Sequence, residues 1–451
     1  MEKEGWISQF DTKSPQDYLT AVQETISWLE AAEHTTEDGT WWESIPGKET
    51  DKNATLTSVG SLYGGSAGIA FFYLRMYQVT KNEEYLKKAE SGIAFSIKKD
   101  RGEASYQNTG EGTLKGIPSG ILNGPSGVAY VSYLLYEETG KKEYFEFTQK
   151  ATELLIKRQK EGRWSGAYGI LADGGLVLYL LWLYKKTNTY TYLEAADKAG
   201  KWIAGEADET DTTARWLAMD SVSFGLGEKG YFPGFFYGTA GTGYIMAKLY
   251  EETKKERYLQ LAKKAAGYLQ KIATVKKDGT AALIRYNDPY AADMYYLGMC
   301  QGPVGHSRLF YQLYKLTKED VYQEWMIRLT NGILEAGAPK MHSKGYWHTY
   351  CYCCGAAGML EHFLEMYEFT KDPRYEAAAK EAAEVLLRDS NLDEGKRRWY
   401  TAWNRHLPGE VEAWTGLYHG STGCAASLLY YYNHLTAKTK LAGYLEDPFA
   451  L

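Results

Sequence analysis

Three of the five cysteines in this 451-residue chain, Cys351, Cys353 and Cys354, fall within four consecutive positions. A Gly-x-x-Gly step at 355–358 follows them directly and opens an apolar run. Cys300 precedes a similar step. Thiols are soft ligands that suit zinc, so thiols repeated in one local setting predict a metal site on a repeated scaffold.

The scaffold is visible as a repeated unit of the sequence. Each copy has the glycine step, an apolar run, a short polar turn and an amphipathic segment with apolar residues three and four positions apart. The runs are apolar nearly all round, which is typical of buried inner helices, whereas the second segments are typical of outer helices. The step occurs at 65–68, 124–127, 238–241, 302–305, 355–358 and 420–423, with a degenerate copy at 172–175.

Seven inner helices require seven outer ones, but only six amphipathic segments follow them. A segment that opens at Gln16 supplies the seventh. An outer helix at the start and an inner helix at the end would pair and close a ring, whereas an open solenoid would need polar caps. We therefore predict an all-α fold, an (α/α)7 toroid of seven inner and seven outer helices, as a single domain over residues 1–451. We expect the insertions at 35–60, 100–118, 208–233 and 274–297 to be rim loops. The sequence does not decide whether they contain short β-hairpins.

Charge and composition narrow the possible partners. The net charge of -6 gives no reason to expect nucleic acid or an anionic membrane surface. No apolar run is long enough to span a bilayer, and the first residues lack the apolar stretch of a secretory signal. Clustered cysteines make a poor disulfide framework, so we expect a reducing, cytoplasmic location.

A toroid would bring the cysteines to one mouth. Cys300 and Cys353 each lie two residues before the first glycine of adjacent units, and Cys354 lies one residue before it. A vicinal cysteine pair is often only a pair of small buried residues. The third cysteine at the matching position favours a Zn²⁺ site with three thiol ligands and an open fourth position, as catalytic zinc sites have. Cys351 is expected to point elsewhere, and Cys424 to pack within the last inner helix.

These features resemble the lanthionine synthetase C-like family, which comprises the cyclases of lantibiotic biosynthesis and their relatives. The run Cys-Gln-Gly at 300–302 is similar to the family's first zinc motif. The run Cys-Cys-Gly at 353–355 is similar to its Cys-His-Gly motif with cysteine in place of histidine. The resemblance implies an α/α toroid in which zinc activates a peptide cysteine to attack a dehydrated residue, giving a thioether. It also implies a thiol-bearing dehydrated peptide as substrate and a separate dehydratase to prepare it.

The proton-handling residues of the family do not carry over. Its acid/base histidine before the fourth step corresponds to Tyr237, its aspartate falls near Tyr168, and its arginine falls at Tyr296. Tyr237 and His419 are the candidate catalytic residues. A phenol near a cation can donate a proton, and His419 occupies in the seventh unit the place of Cys354 in the sixth. Alternatively, Tyr237 packs at the rim and His419 is a hydrogen-bonded rim histidine.

Three further polar residues stand in a glycine step or near the cysteines. Asp173 stands in the degenerate step and could replace the missing carboxylate, although a carboxylate at a helix N-terminus is the more usual reading. His306 and His348 lie near the cysteines in sequence. His306 follows its step inside the helix, so it is expected to pack or to form hydrogen bonds.

Three functions therefore compete. The first is the zinc-dependent cyclase. The second is a zinc-containing homologue that binds thiols or peptides without cyclase activity, which the tyrosines at the proton-handling positions favour. The third is a carbohydrate-active toroid, which aromatic residues at a mouth would suit, but glycosidic chemistry normally needs a pair of carboxylates that the glycine steps lack.

Overall fold

The computed structural model describes residues 13–47, 59–102, 120–217, 230–286, 294–402 and 407–449. These ranges hold fourteen α-helices. In chain order they are α1 (Pro15–Glu30), α2 (Ser66–Thr80), α3 (Glu83–Lys99), α4 (Pro125–Thr139), α5 (Lys142–Arg158), α6 (Asp173–Thr187), α7 (Tyr190–Gly205), α8 (Thr239–Thr253), α9 (Glu256–Ile272), α10 (Pro303–Thr317), α11 (Asp320–Glu335), α12 (Ala356–Thr370), α13 (Pro373–Arg388) and α14 (Ser421–Leu435).

The even-numbered helices are the apolar runs of the repeated unit and form the inner ring. In α2 every residue from Ser66 to Met76 is buried. The odd-numbered helices bury only one stripe, such as Leu261, Ala265 and Leu269 of α9 at four-residue spacing. The predicted division into seven inner and seven outer helices is confirmed within the described ranges.

The ring closes through the two ends of the chain. Each outer helix from α3 to α13 packs on the inner helix that precedes it, whereas α1 packs on α14. Helix α14 in turn contacts both α12 and α2, which completes the inner ring. The predicted pairing of the first outer helix with the last inner helix is therefore confirmed, and the fold is an (α/α)7 toroid.

The glycine step allows the backbone to crowd at the top of each inner helix. In the first unit, a Cβ at Gly65 would lie 2.4 Å from the carbonyl oxygen of Val59, and one at Gly68 would lie 2.3 Å from that of Leu62. Both distances are far below van der Waals contact, so any side chain would force the entering loop away from its helix. The step thus holds the loop before each inner helix against the mouth.

Short strands lie at the rim. The sequence left undecided whether the insertions contain β-hairpins, and some of them do. Three antiparallel hairpins lie in or next to predicted insertions: β1 (Glu33–Thr36) with β2 (Gly39–Trp42), β3 (Asp208–Glu209) with β4 (Ala214–Arg215), and β5 (Thr274–Val275) with β6 (Ala282–Leu283). Strand β7 (Tyr295–Tyr296) pairs in parallel with β8 (Tyr346–Trp347). Two hairpins lie outside the predicted insertions: β9 (Asn391–Asp393) with β10 (Lys396–Arg398), and β11 (Thr401–Ala402) with β12 (Val411–Glu412). The insertion at 100–118 lies almost entirely outside the described residues.

The segment after α14 turns back into the bore of the toroid. Arg75 donates a hydrogen bond to the carbonyl oxygen of Ala442 at 2.7 Å, and the Tyr130 hydroxyl donates to that of Gly443 at 2.6 Å. Deeper in, Glu446 lies 3.6 Å from the buried guanidinium of Arg308. The tail therefore fills the bore from the end opposite the glycine steps.

None of the described helices is both long enough and apolar enough to span a bilayer.

Candidate metal centre

Backbone hydrogen bonds tie successive units together around the mouth. They join the residues that stand two positions before the first glycine of each step. The Cys300 N–H donates to the Cys353 carbonyl oxygen at 2.9 Å, and the Cys353 N–H donates to the Tyr418 carbonyl oxygen at 2.8 Å. The Tyr418 N–H in turn donates to the Tyr63 carbonyl oxygen at 3.0 Å. Residues at matching positions of different units are thus held side by side by the main chain itself.

Three thiols meet at this ring. The Sγ atom of Cys354 lies 3.1 Å from that of Cys300 and 3.1 Å from that of Cys353. All three Sγ atoms lie within 4.8 Å of one another, and Cys300 and Cys353 are buried. In a tetrahedral zinc site with Zn–S bonds of 2.3 Å, neighbouring sulfurs lie about 3.8 Å apart. The two sulfur pairs at 3.1 Å therefore fit one soft cation after separating by about 0.7 Å.

The close approach of two loops makes this meeting possible. A Cβ at Gly298 would lie 2.5 Å from the carbonyl carbon of Cys354, so glycine alone lets the loop of Cys300 reach its neighbour. Within the cluster, hydrogen bonds with Cys300 first, and then with the other thiols, lower the pKa of Cys353 well below its usual value. The arrangement thus favours thiolate at the centre of the group.

A cavity of about 150 Å³ opens above the thiols. Aromatic and apolar side chains supply most of its wall, and the loops and strands of the rim contribute the rest. Tyr296 of β7, Trp347 of β8 and Thr401 of β11 all face it. It is lined by Tyr63, Leu171, Phe236, Tyr237, Tyr296, Cys300, Gln301, Trp347, Thr349, Cys351, Cys353, Cys354, Thr401, Ala402 and His419.

The expectation that Cys351 points elsewhere is wrong. Its side chain lines the same cavity, and its Sγ lies 3.8 Å from that of Cys353. The thiol also shares a hydrogen bond of 3.1 Å with the Thr349 hydroxyl. The sharp turn from Cys351 to Cys354, imposed by the glycine step, directs all three of its thiols to the mouth.

Tyr237 lies in the cavity wall. Its hydroxyl shares a short hydrogen bond with the Tyr286 hydroxyl. Burial first, and the neighbouring Tyr286 second, raise the pKa of Tyr237 well above its usual value. Tyr296 packs beside this pair, with ring centroids 4.5 Å from Tyr286. Tyr237 is therefore a neutral phenol at neutral pH, and its raised pKa makes it a weaker acid than an ordinary tyrosine.

Tyr168 lies away from the cavity. Its hydroxyl donates to Glu206 at 3.3 Å, and its ring stacks on Trp202 with centroids 5.2 Å apart. Two of the three positions at which the family resemblance places proton-handling residues, those of Tyr237 and Tyr296, thus face the thiols.

His419 lies in the wall beside the thiols. Its ring stacks on Tyr63 with centroids 5.0 Å apart, and it also packs against Trp414. Gly64 and Gly416 make room for it, since a Cβ on either would lie 2.7 Å from the imidazole Cε1. Burial lowers the pKa of His419 to about 4. The imidazole is therefore neutral and closely packed at neutral pH.

The remaining polar candidates lie outside the cavity. Asp173 is the first residue of α6, as expected of a carboxylate at a helix N-terminus, and it accepts hydrogen bonds from the N–H groups of Trp164, Ser165 and Gly166 in the preceding loop at 2.9, 2.9 and 3.2 Å. His306, His348 and Cys424 are also buried, and the Cys424 thiol donates to the carbonyl oxygen of Tyr350 at 3.3 Å. The expectations that Cys424 and His306 lie inside their helices are confirmed.

Sequence reasoning missed Tyr63 as a site residue. Its hydroxyl shares a hydrogen bond of 3.4 Å with the Cys353 Sγ. Burial first, and then the charge of Cys353, raise the pKa of Tyr63. Tyr63 stands two residues before the first glycine of the first step, the position that Cys353 holds in the sixth. The repeat alignment therefore contained the signal that places it at the mouth.

The fold and the thiol group define the class of protein, an α/α toroid with a three-cysteine group at its mouth that could hold a metal ion. The lanthionine synthetase C-like protein family matches residues 59–444, and the chain belongs to this family. A comparison with curated proteins finds no match.

A solved structure shares the fold of this chain. Nisin cyclase superposes with a TM-score of 0.65 at 14% sequence identity, covering 96% of this chain and 97% of that one. The Lin0763 protein from Listeria innocua has a TM-score of 0.48 at 13% identity, covering 93% of this chain and 97% of that one. At 14% identity the likeness to nisin cyclase establishes the toroid fold alone. The chemistry has to be argued from the residues of the site.

Proposed function

We propose that this chain is a zinc-dependent cyclase that adds a peptide cysteine to a dehydroalanine or dehydrobutyrine, forming the thioether of a lanthionine. The observation that carries the proposal is the group of Cys300, Cys353 and Cys354, whose sulfur atoms lie within 4.8 Å of one another beneath an open cavity. Membership of the family and the printed name of nisin cyclase support it. The three thiols would hold Zn²⁺, which would lower the pKa of a substrate thiol and so supply a nucleophile at neutral pH.

The chain's own residues would handle the substrate and the proton. Attack on the β-carbon of the dehydrated residue leaves an enolate, which needs a proton at its α-carbon. Tyr237 would donate that proton, and its hydrogen-bond partner Tyr286 would help to restore it. The lowered pKa of His419 makes it a poor base at neutral pH, so we assign it contact with the substrate beside Cys353.

The location and the substrate's preparation complete this proposal. The clustered free thiols suit the reducing cytoplasm, and a separate dehydratase would have to supply the dehydrated peptide. A sugar-processing role is less well supported, because no aspartate or glutamate stands among the described residues that line the cavity.

The test uses a cysteine-bearing peptide that has been dehydrated at serine or threonine. Ring formation leaves the peptide mass unchanged, so the measurement is the number of thiols that still react with an alkylating reagent. We expect the zinc-loaded protein to remove one reactive thiol per ring, and Tyr237→Phe to slow this strongly while keeping zinc. Tyr168→Phe is the matched control, since its ring packs outside the cavity. An unchanged thiol count with the zinc-loaded protein would contradict cyclase activity.

A second function is favoured by the tyrosines at all three proton-handling positions. In this alternative the protein holds zinc and binds thiol peptides or small thiols such as glutathione, without turnover. Calorimetry and thiol counting with the dehydrated cysteine peptide distinguish the two, because binding without loss of thiols supports the alternative and binding with loss of thiols supports the cyclase.

A further inference from the structure

Cys351 lies at the metal centre without belonging to the three-thiol group. Its side chain is buried, at 4% exposure, and lines the same cavity as the other three thiols. Its Sγ is 3.8 Å from that of Cys353 and 3.1 Å from the Thr349 hydroxyl oxygen. The chain thus keeps a fourth thiol within reach of a site that needs a fourth ligand.

The distance between the sulfurs of Cys351 and Cys353 matches that between two sulfur ligands of one zinc ion. Sulfurs that share a tetrahedral zinc ion lie about 3.8 Å apart, which is the distance observed between Cys351 and Cys353. Only one rotatable bond joins a cysteine sulfur to the backbone, so one rotamer change moves the sulfur between two partners. For Cys351 these partners are the Thr349 hydroxyl at 3.1 Å and the Cys353 sulfur at 3.8 Å.

We propose that Cys351 is a displaceable fourth ligand, which occupies the open position of the metal until a substrate thiol replaces it. This inference rests on the metal site of the proposed function. In the exchange, the Cys351 sulfur would leave the metal and the incoming sulfur would take its place. The proton of the incoming thiol passes to the Cys351 sulfur, and the freed thiol returns to Thr349. The charge of the buried site is the same before and after.

This exchange has two physical consequences. A fourth thiolate would exclude water from the metal while no substrate is bound, so four thiolates would hold the metal more firmly than three. A substrate thiol also meets a partner that takes its proton within the cavity, so no proton has to cross the apolar wall. Cys351 is therefore a positioning residue. It keeps water from the metal and accepts the proton of the incoming thiol, and its role is measurable as the number of thiolates on the metal.

Cobalt substitution tests the inference directly. Cobalt(II) reports the number of bound thiolates through its sulfur-to-metal charge-transfer absorption in the near ultraviolet. We expect Cys351→Ser to lower this absorbance per cobalt to about three quarters of the wild-type value, as four thiolates become three. Adding 2-mercaptoethanol should restore the variant and leave the wild type unchanged. Cys424→Ser is the matched control, because its thiol donates to the Tyr350 carbonyl oxygen in the core.

The outcomes separate this inference from the metal site itself. If the wild type and Cys351→Ser bind cobalt with the same three-thiolate absorbance, the metal site stands and the role of Cys351 is refuted. If the wild type binds neither cobalt nor zinc, both proposals fall. X-ray absorption of the zinc-loaded wild type gives the count without any variant. Four sulfur neighbours support the inference, and three overturn it.

Discussion

Replacing Gly298 with alanine tests how the fold brings the thiols together. The added Cβ would lie 2.5 Å from the carbonyl carbon of Cys354 and 2.8 Å from its carbonyl oxygen. Ordinary contact begins near 3.4 Å, so the two loops must move apart by about 0.9 Å. The bonds between a metal and its ligands stay within about 0.2 Å of their usual lengths. The displacement therefore pulls Cys300 away from the position that a shared cation requires.

The expected result is a large loss of zinc affinity with a modest loss of stability. We expect Gly298→Ala to weaken zinc binding about 10- to 100-fold and to lower the free energy of unfolding by about 1–3 kcal/mol, as for other overpacked sites. Competition with a chromophoric chelator measures the first quantity, and urea unfolding measures the second. Gly409→Ala is the control, because no atom lies within 4 Å of its added Cβ. A folded Gly298→Ala protein with wild-type zinc affinity would refute the role of this contact.

Three further predictions address single interactions. Tyr63→Phe removes the hydroxyl that contacts Cys353 while keeping the stacked ring, so chelator competition should show zinc affinity reduced about 2- to 10-fold; unchanged affinity would deny the contact any role. Arg308→Met leaves the carboxylate of Glu446 buried without its cation, so urea unfolding should show a loss of about 3–5 kcal/mol, partly restored by adding Glu446→Gln. A loss that the second change does not reduce would refute the pairing. Burial lowers the pKa of His306 to about 3, so between pH 6.5 and 3 the unfolded chain binds a proton that the folded chain does not, and stability falls as the pH falls. His306→Leu should therefore make the slope of stability against pH shallower by about 1.4 kcal/mol per pH unit over this range, and an unchanged slope would contradict a buried neutral imidazole.

The repeated unit explains why the sequence alone predicts the ring and the meeting of the thiols. The glycine steps mark the start of every inner helix, and the alignment of units places Cys300 beside Cys353. The same alignment also contains Tyr63, but a tyrosine is not a usual metal ligand, so its residue type does not indicate a role at the metal centre. Features that the repeat encodes were therefore available from the sequence.

Features that lie outside the repeated unit could not be predicted from the sequence. Cys351 stands four residues before its glycine, at a position with no cysteine in other units, so its direction depends on the local turn. Glu446 of the tail after α14 contacts Arg308, which is far away in the sequence, and no periodic pattern predicts such a contact. The rim strands have only two to four residues each, too few for a clear alternation of apolar and polar residues.

Zinc analysis of the purified chain tests the central claim most directly. We expect one zinc ion per chain in the wild type, and a clear loss in Cys300→Ser, Cys353→Ser and Cys354→Ser measured under the same dialysis. Cys424→Ser should keep the full content, because its thiol lies in the core. Zinc content that is absent from the wild type, or unchanged when Cys300 is replaced, would contradict a cation shared between neighbouring units of the ring.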